Sequence, residues 1–383
     1  METRQIVKAL AAVGVGALAG TAGAAAVLYH NQLRSVLSLK KIYQENPVHR
    51  DGAIYSIRIY GDYGFDRYLA QGGSATDEEL NRFVEGHLTK GLFHLNIRTK
   101  AVAGCSSFTA RNLMGERLYA RNYDLRESAT CIVRTNPGHG RHSAISTVDL
   151  KFLGISAKGP TRLADRIKCA AAPYIALDGM NDAGVACAIH MSHQRGHTHQ
   201  KTGKPGLNAT TLVRLILDYA DDVDHAVELV KQYDYRDSGK TSFHLIVADK
   251  SGKSAVLEWV KGKNSTDLTG AGRELVVTYN EKNYQYLTNF VIVPDYYQPG
   301  EEKEGFDRYQ IIEEKLDKSE GVLIDEQEAM EVLKSVAKRH LYGDGEKITL
   351  YSIVYNLTNL TAVWIGNEHY QQDDRVVKLA IRR

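Results

Sequence analysis

Cys105 is the residue best placed for covalent chemistry, because it follows a glycine and opens a predicted β-strand. The thiolate is the nucleophilic form of cysteine, and a free thiol, with a pKa of about 8.5, needs a nearby base or positive charge to supply it. If the Gly104–Cys105 peptide bond is cleaved, the freed α-amine, with a reference pKa of about 7.7–8.0, lies on the nucleophile's own residue. Such a cysteine could open amide bonds without a histidine.

A predicted hairpin brings two charged residues toward this cysteine. Strands are expected over residues 105–111 and 116–123. Arg121 then lies almost opposite Cys105, although a shift of one residue in the register would move it to the other face. Asp124 could accept a hydrogen bond from the new ammonium group. An ordinary cross-strand ion pair between Arg121 and Asp124 is the structural alternative.

Two motifs surround this site, Gly-Cys-Ser-Ser-Phe at residues 104–108 and Tyr-Ala-Arg-Asn-Tyr-Asp at residues 119–124. In content and spacing they resemble the choloylglycine hydrolase and penicillin V acylase family of N-terminal-nucleophile (Ntn) hydrolases. Further segments resemble that family in the same order along the chain, at residues 178–187, 249–253, 277–280 and 306–308. The resemblance covers the chain from Cys105 nearly to its end.

Carried over to this sequence, the resemblance implies a role for each matching residue. Cys105 would be the nucleophile, with Arg121 and Asp124 beside it. Asn280 would donate to the oxyanion, and Arg308 would stabilise the site. The same thiol would perform self-cleavage by attacking the carbonyl of Gly104, where the absence of a side chain suits close approach.

One position departs from the family pattern. Bile-salt and penicillin acylases carry a second site asparagine where this chain reads Ala-Ile-His-Met at residues 188–191. Met191 is nearest by spacing, and its backbone N–H could still donate to an oxyanion. His190 is a candidate substrate contact. A papain-like Cys–His pair with His139 or His190 is a competing mechanism.

The residues that precede Cys105 resemble instead the layout of the acid ceramidase and N-acylethanolamine acid amidase branch. There, a leading segment becomes a separate α subunit after self-cleavage. This layout predicts a linear amide C–N hydrolase acting on small, lipid-like N-acyl amides, with no cofactor. Bile-salt conjugates, penicillin V and acyl-homoserine lactones are the alternative substrates. An acyltransferase of the isopenicillin type and a non-processing, membrane-tethered binding protein of the same fold are the alternative functions.

The N-terminal segment predicts contact with a membrane. Residues 9–29 carry no charge and are long enough to cross a bilayer as a helix. An uncleaved signal-anchor, a removed signal peptide and a soluble Ala/Gly-rich helix are the three interpretations. We expect residues 1–30 to form the anchor or signal, residues 31–104 a leading α segment, and residues 105–383 the catalytic domain. The catalytic domain is expected to be membrane-anchored or exported, on the extracytoplasmic side.

Composition argues against several other functions. The chain has 48 basic and 46 acidic side chains, and no basic run marks a nucleic-acid surface. Its 4 cysteines form no CxxC pair, so a thiolate-based structural zinc site is not expected. Histidines 190, 193, 197 and 199 lack neighbouring carboxylate or cysteine ligands, so no metal site is predicted there either. The oligomeric state is left open.

The order of elements predicts the fold class. Strands dominate after Cys105, helices follow near residues 208–219 and 222–233, strands return, and two helices at 307–316 and 325–339 precede three terminal strands. This order is typical of an α+β chain. Together with the resemblance it predicts a four-layer α/β/β/α Ntn-hydrolase sandwich with an N-terminal membrane-anchor helix.

Overall fold

The computed structural model of the protein describes residues 29–89, 94–97, 104–194, 196–239, 241–262 and 269–381. The expected anchor at residues 9–29 lies outside these ranges except for its last residue. Within them, no helix combines the length and the apolar character needed to cross a bilayer. The membrane anchor therefore stays a prediction.

The first of two large sheets has nine strands within the described ranges, in the order β1-β2-β5-β6-β7-β8-β11-β12-β13. Most neighbours are antiparallel, and β2 runs parallel to β5. The strands are β1 (Lys40–Tyr43), β2 (Ile54–Tyr60), β5 (Thr130–Asn136), β6 (Ala144–Asp149), β7 (Ala176–Asn181), β8 (Val185–Met191), β11 (Phe243–Asp249), β12 (Ser254–Lys261) and β13 (Arg273–Tyr279).

The second sheet carries Cys105 at the start of its strand β3. Within the described ranges its strands follow the order β14-β3-β4-β16-β17-β18, and β15 pairs with β3 in parallel. They are β3 (Gly104–Asn112), β4 (Arg117–Leu125), β14 (Tyr286–Leu287), β15 (Val322–Leu323), β16 (Ile348–Asn356), β17 (Thr361–Gly366) and β18 (Val376–Ala380). The short strands β9 (Gly206–Leu207) and β10 (Asp234–Tyr235) pair separately.

Helices cover the outer faces of both sheets. They are α1 (His30–Ser38), α2 (Phe65–Ala70), α3 (Asp77–Thr89), α4 (Leu163–Lys168), α5 (Ala209–Tyr219), α6 (Val223–Lys231), α7 (Phe306–Lys318), α8 (Glu326–Ser335) and α9 (Lys338–Tyr342). Helices α5 and α6 pack on β7, β8, β11 and β12, while α7 and α8 pack on β3, β4 and β16. With β3 facing β8 across the interior, the layers run helix, sheet, sheet, helix.

Local capping explains where several predicted helices begin. Asn208 accepts a hydrogen bond from the backbone N–H of Thr211 at 3.0 Å, and Asp222 accepts one from His225 at 2.8 Å. These side chains satisfy N–H groups that have no partner within the first turn of a helix. The predicted starts of α5 and α6 are confirmed.

Helix α1 ends at Ser38, and Lys40 begins an edge strand. One helix prediction was wrong at its C-terminal end. The helix expected over residues 325–339 stops at Ser335, because Ala337 takes an extended conformation before α9 begins. At that break the backbone N–H of Lys338 donates to the Thr349 hydroxyl at 2.9 Å, which turns the chain back toward β16.

The segment before Cys105 is built into the first sheet, since its strand β2 pairs with β5 over seven residues on each strand. Arg236 adds a polar clamp. Its guanidinium donates to the Ser74 carbonyl and the Asp77 carboxylate, both at 2.8 Å, and is 4% exposed. The segment is therefore held by main-chain pairing and by a buried cation. Its boundary at Gly104 stays a prediction.

Replacing Arg236 with alanine should destabilise the fold by about 2 kcal/mol, because it leaves the buried Ser74 carbonyl without its donor, while Asp77 keeps the hydrogen bonds from Ser238 and Gly239. Arg126→Ala is the matched control, since Arg126 pairs with Glu346 on the exposed surface, and such pairs contribute about 0–1 kcal/mol. Denaturant unfolding measures both variants. Equal small losses would contradict the proposed clamp.

Candidate active site

The β3–β4 hairpin sets the geometry around Cys105. Cys105 pairs with Tyr123, and Ser107 pairs with Arg121. Side chains two residues apart on a strand share a face, so Cys105 and Arg121 are diagonal neighbours on one face. The Arg121 Nη2 atom lies 3.7 Å from the Cys105 sulfur. The hairpin prediction therefore placed Arg121 on the correct face, two residues along β4 from the position directly opposite Cys105.

Arg121 is fully buried and is held by the other sheet. Its guanidinium lies 3.1 Å from the Asp178 carboxylate and donates to the carbonyls of Leu177 at 2.5 Å and Ile189 at 2.8 Å. Tyr355 donates to the second oxygen of Asp178 at 2.6 Å. Asp178 thus fixes the position of Arg121, a role that sequence reasoning did not assign to it.

Burial and charge act in opposite directions on the Cys105 thiol. Burial raises the pKa of this thiol, and the neighbouring Arg121 cation opposes the rise by stabilising the thiolate. Burial also raises the pKa of the Cys169 thiol, to about 12. The Arg121 guanidinium donates to the sulfur of Cys105, whereas the sulfur of Cys169 contacts a carbonyl oxygen, that of Asp165.

The asparagine that contacts Cys105 is Asn289. Its Oδ1 accepts from the Cys105 backbone N–H at 2.8 Å and from Arg308 at 2.7 Å, which orients its amide group toward the Met191 carbonyl. Sequence reasoning missed this residue. The available signal was a polar Thr-Asn pair inside the apolar run of residues 286–293.

The prediction that Asn280 is an oxyanion donor was wrong. Its amide group donates to the carbonyls of Gly252 at 3.2 Å and Lys282 at 2.8 Å, and its oxygen accepts from Ser254 at 2.8 Å. Both amide hydrogens are thus used to close a turn beside β12 and β13. Asn280 ends a strand in a Thr-x-Asn sequence, and that local pattern was mistaken for the site asparagine.

Arg308 projects from the first turn of α7 onto Cys105. Its Nη1 donates to the Cys105 carbonyl at 2.5 Å and to the Ser106 hydroxyl at 2.8 Å, and lies 3.7 Å from Asp124 Oδ2. The structure thus places Arg308 beside the cysteine. Its stabilising role stays a prediction.

Asp124 faces Gly104, the residue with which it pairs across the hairpin. One carboxylate oxygen accepts from the Thr349 hydroxyl at 2.8 Å, while Oδ2 is buried without a hydrogen-bond partner among the described residues. A Cβ atom on Gly104 would lie 2.8 Å from that Oδ2 and 3.0 Å from Lys338 Cε. Residue 104 therefore has to be glycine for Asp124 to keep this position.

His190 and Met191 lie on β8, which faces β3. The His190 ring is fully buried and contacts the Ser107 hydroxyl at 2.9 Å. Burial, followed by the Arg121 charge, holds the pKa of His190 well below its usual value, so the ring is neutral. Met191 contributes to the site through its main chain, because its carbonyl accepts a hydrogen bond from Asn289.

The Cys–His alternative finds no support in this arrangement. His190 bonds to Ser107 instead of Cys105, and His139 is an exposed turn residue with a positive φ of 57°. Across the residues that the structure describes, no group of three or more His, Cys, Asp or Glu side chains is arranged to hold a metal ion.

Comparison with known proteins places this geometry in a family. The profile of the acyl-coenzyme A:6-aminopenicillanic acid acyl-transferase family matches residues 167–367, just over half of the chain. The chain belongs to this family. The resemblance to choloylglycine hydrolases and penicillin V acylases, and with it the Ntn-hydrolase family assignment, is thereby confirmed.

The chain is also similar to individual proteins. The chain is 29% identical over 122 residues to penicillin V acylase from Pectobacterium atrosepticum, a match that spans 29% of that protein's length. A mutant of conjugated bile acid hydrolase from Clostridium perfringens shares the fold at a TM-score of 0.50 and 14% identity, over 72% of this chain and 92% of that one. A Caenorhabditis elegans ortholog of N-acylethanolamine-hydrolyzing acid amidase aligns over 66% of this chain and 93% of its own, at 15% identity and a TM-score of 0.42.

The pH profile of Cys105 alkylation tests the electrostatic part of the site. The Arg121 cation favours the thiolate, so Arg121→Met should move the midpoint of iodoacetamide alkylation upward by about 1–3 pH units. Peptide mapping by mass spectrometry quantifies labelling at Cys105 in the folded protein. Arg117→Met, at the far end of the same strand, should leave the midpoint in place. An unchanged midpoint in the Arg121 variant would exclude this charge as the thiol's partner.

Proposed function

We propose that the protein is a self-processing cysteine hydrolase that cleaves linear amide C–N bonds through a thioester on Cys105. The observation that carries this proposal is the convergence of three buried side chains on one residue. Arg121 contacts the Cys105 sulfur, Asn289 its nitrogen and Arg308 its carbonyl. A core cysteine needs none of these contacts, whereas a nucleophile that becomes a chain terminus needs both its thiol and its amine held in place.

Turnover begins when the Cys105 thiolate attacks the amide carbonyl of the substrate. The α-ammonium of the same residue then protonates the leaving amine, and a thioester forms. Water, deprotonated by the α-amine, adds to the thioester and releases the acid. One amine therefore acts as acid and base in turn, while Arg121 stabilises the thiolate.

The oxyanion of the tetrahedral intermediate requires two N–H donors. Asn289 supplies one, because its amide nitrogen carries a second hydrogen beyond the one given to the Met191 carbonyl. The Met191 backbone N–H supplies the other. The N–H and C=O of one strand residue point to the same side, and the Met191 carbonyl already points at Asn289. A methionine at this position therefore keeps the second donor.

Self-cleavage before Cys105 creates the working amine. Asp124 Oδ2, buried beside Gly104 with no hydrogen-bond donor among the described residues, is placed to accept one hydrogen of the new ammonium group. Cleavage would thus supply this oxygen with a hydrogen-bond donor in addition to its ion pair with Arg308. The products would be a leading α segment ending at Gly104 and a catalytic β segment beginning at Cys105.

N-acyl amide lipids are the proposed substrates of a membrane-anchored or exported enzyme. The support is the uncharged stretch at residues 9–29. Such a segment would insert into the membrane, and acyl chains partition into the same membrane. The relative named penicillin V acylase makes that amide the alternative substrate.

Acyl transfer is the second candidate activity, and the description of the matched family favours it. An amine that reaches the thioester before water would take the acyl group and regenerate the same thiolate. Addition of 6-aminopenicillanic acid, the acceptor amine in the family's description, separates the two activities, since a transferase acylates this amine in preference to releasing the acid.

Release of acid from a panel of N-acyl amides tests the proposed activity. Cys105→Ala should abolish turnover because it removes the nucleophile. Turnover of this variant at the wild-type rate would remove Cys105 from the mechanism, and an absence of turnover and cleavage in the wild type would favour a binding protein.

Asn289→Ala should lower kcat by about 10²–10³-fold, as expected for the loss of one oxyanion-hole donor. Asn280→Ala is the matched control, since it removes an amide that closes a turn, and it should change stability more than kcat. The reverse order of effects would restore Asn280 as the donor.

Gly104→Ala should slow self-cleavage strongly, because its methyl group would lie 2.8 Å from Asp124 Oδ2. Intact mass at timed intervals after synthesis measures the cleaved fraction. Gly86→Ala, where a Cβ meets no atom within 4 Å, is the control and should cleave like wild type. Equal rates in both variants would show that the space at Gly104 is irrelevant.

A further inference from the structure

A cavity of about 790 Å³ opens between the two sheets, and no residue of the candidate active site lines it. Strands β2, β5 and β6 of the first sheet form one wall, and β17 and β18 of the second sheet form most of the other. Its volume falls within the range of about 300–1,000 Å³ that is typical of small-molecule sites. This inter-sheet cavity is therefore a second candidate binding site.

Two arginines stand side by side in the wall that the first sheet provides. Arg58 of β2 and Arg134 of β5 are direct partners in the pairing of these strands, and both line the inter-sheet cavity. They lie on the face that meets the second sheet, since Ile54, on the Arg58 face, lies against Gly366 of β17. Arg134 donates to the Ala380 carbonyl of β18 at 2.7 Å. Like charges directly opposite each other destabilise a sheet, so stability does not explain this pair.

The lining of the inter-sheet cavity contains three cations and one carboxylate. Lys378 of β18 joins the two arginines from the opposite wall. The carboxylate is that of Glu326, whose Oε1 accepts from Asn356 at 2.6 Å. Among the described residues, no carboxylate oxygen lies within ion-pair distance of Arg58 or Lys378. The inter-sheet cavity is therefore positively charged and suited to an anion.

Helix α1 fixes where the uncharged N-terminal stretch ends relative to this cavity. The Ser38 hydroxyl of α1 accepts from the Arg58 backbone N–H at 2.9 Å, which attaches the helix to the edge of β2. Arg34 of α1 and Arg58 both lie over the Tyr60 ring, at 4.1 and 5.5 Å from its centre. The stretch of residues 9–29 ends roughly 8 Å before Arg34 along the axis of this helix. The arginines are thus close to the membrane that the stretch would enter.

We propose that the inter-sheet cavity binds the headgroup of an acidic phospholipid from the membrane beside α1. Arg58 and Arg134 hold the phosphate oxygens, because guanidinium groups match a phosphate in charge and in hydrogen-bond geometry. Lys378 adds a third positive charge, and Ile145 and Leu379 provide apolar contacts for the acyl chains. A zwitterionic lipid is disfavoured, since its ammonium group would enter a cavity lined by three cations.

This inference goes beyond the hydrolase activity proposed above. It takes from that proposal the membrane association alone and does not depend on the chemistry at Cys105. Arg58 precedes Cys105 in the chain, whereas Arg134 and Lys378 follow it. The bound lipid therefore bridges the two segments that self-cleavage would separate.

Native mass spectrometry of the full chain in a neutral detergent tests the site by counting bound lipids. The probes are phosphatidylglycerol and phosphatidylcholine with the same acyl chains. Wild type should bind one phosphatidylglycerol molecule in preference to phosphatidylcholine. Arg58→Gln should weaken phosphatidylglycerol binding by about 10-fold, because it removes a charged hydrogen-bond donor. Arg126→Gln, which removes an exposed arginine outside the cavity, is the matched control and should bind like wild type.

Thermal unfolding separates a binding role of the arginine pair from a structural one. Arg58→Gln relieves the repulsion across β2 and β5, so the lipid-free variant should unfold at or above the wild-type Tm. Phosphatidylglycerol should raise the Tm of wild type, because it binds the folded state, and should leave that of the variant nearly unchanged. A lipid-free variant that unfolds well below wild type would show a structural role and overturn the assignment.

The remaining outcomes also decide the proposal. Equal binding of both lipids by wild type, or equal phosphatidylglycerol binding by wild type and Arg58→Gln, overturns the site. Preference for oleate over phosphatidylglycerol would overturn the phospholipid as its occupant. Phosphatidylglycerol binding by a wild-type chain that stays whole and releases no acid would contradict the proposed hydrolase and support this site, so the two failures are distinguishable.

Discussion

A buried guanidinium beside a buried thiol is the interaction on which the rest of the site depends. Arg121 has no exposed surface, and a charge removed from water costs several kcal/mol unless it is paired and hydrogen-bonded. The carboxylate of Asp178 and the carbonyls of Leu177 and Ile189 meet that requirement. The two sheets must therefore face each other with polar groups at this end of β3, even though most of the interior between them is apolar.

The end of β8 shows how the chain makes room for this arrangement. Strand β7 pairs with β8 only as far as Ala188, so the carbonyls of Ile189 and Met191 have no strand partner on that side among the described residues. Arg121 and Asn289 donate to them instead. Side chains from the other sheet and from the chain after β13 thus replace a missing strand, and this replacement brings them to Cys105.

The turn that carries Asn289 is held from behind by a buried polar pair. His244 contacts Glu258 at 2.8 Å and the Thr288 carbonyl at 3.1 Å, and Glu258 accepts from the Ile292 N–H. The residues on both sides of Asn289, Thr288 and Ile292, are therefore anchored to β11 and β12. The position of the asparagine follows from the first sheet, although it acts on a residue of the second.

The predictions that succeeded came from local chemistry and motif order. The hairpin, the face of Arg121 and the starts of α5 and α6 depend on residues close in sequence. Asn289 could not be found in this way, because it reaches Cys105 from a distant part of the chain through a turn. Asn280 shows the opposite error. Its local sequence suggested an oxyanion donor, but both hydrogens of its amide group close a turn in its own part of the chain.

The central claim is that the sulfur and a free α-amine act from the same residue. Mass spectrometry of the working enzyme, acid-quenched during turnover of an N-acyl amide, tests it directly. The account predicts a fragment that begins at Cys105 and carries the acyl group as a thioester labile to hydroxylamine. An unbroken chain that turns over substrate, or an acyl group bound to any other residue, would contradict it.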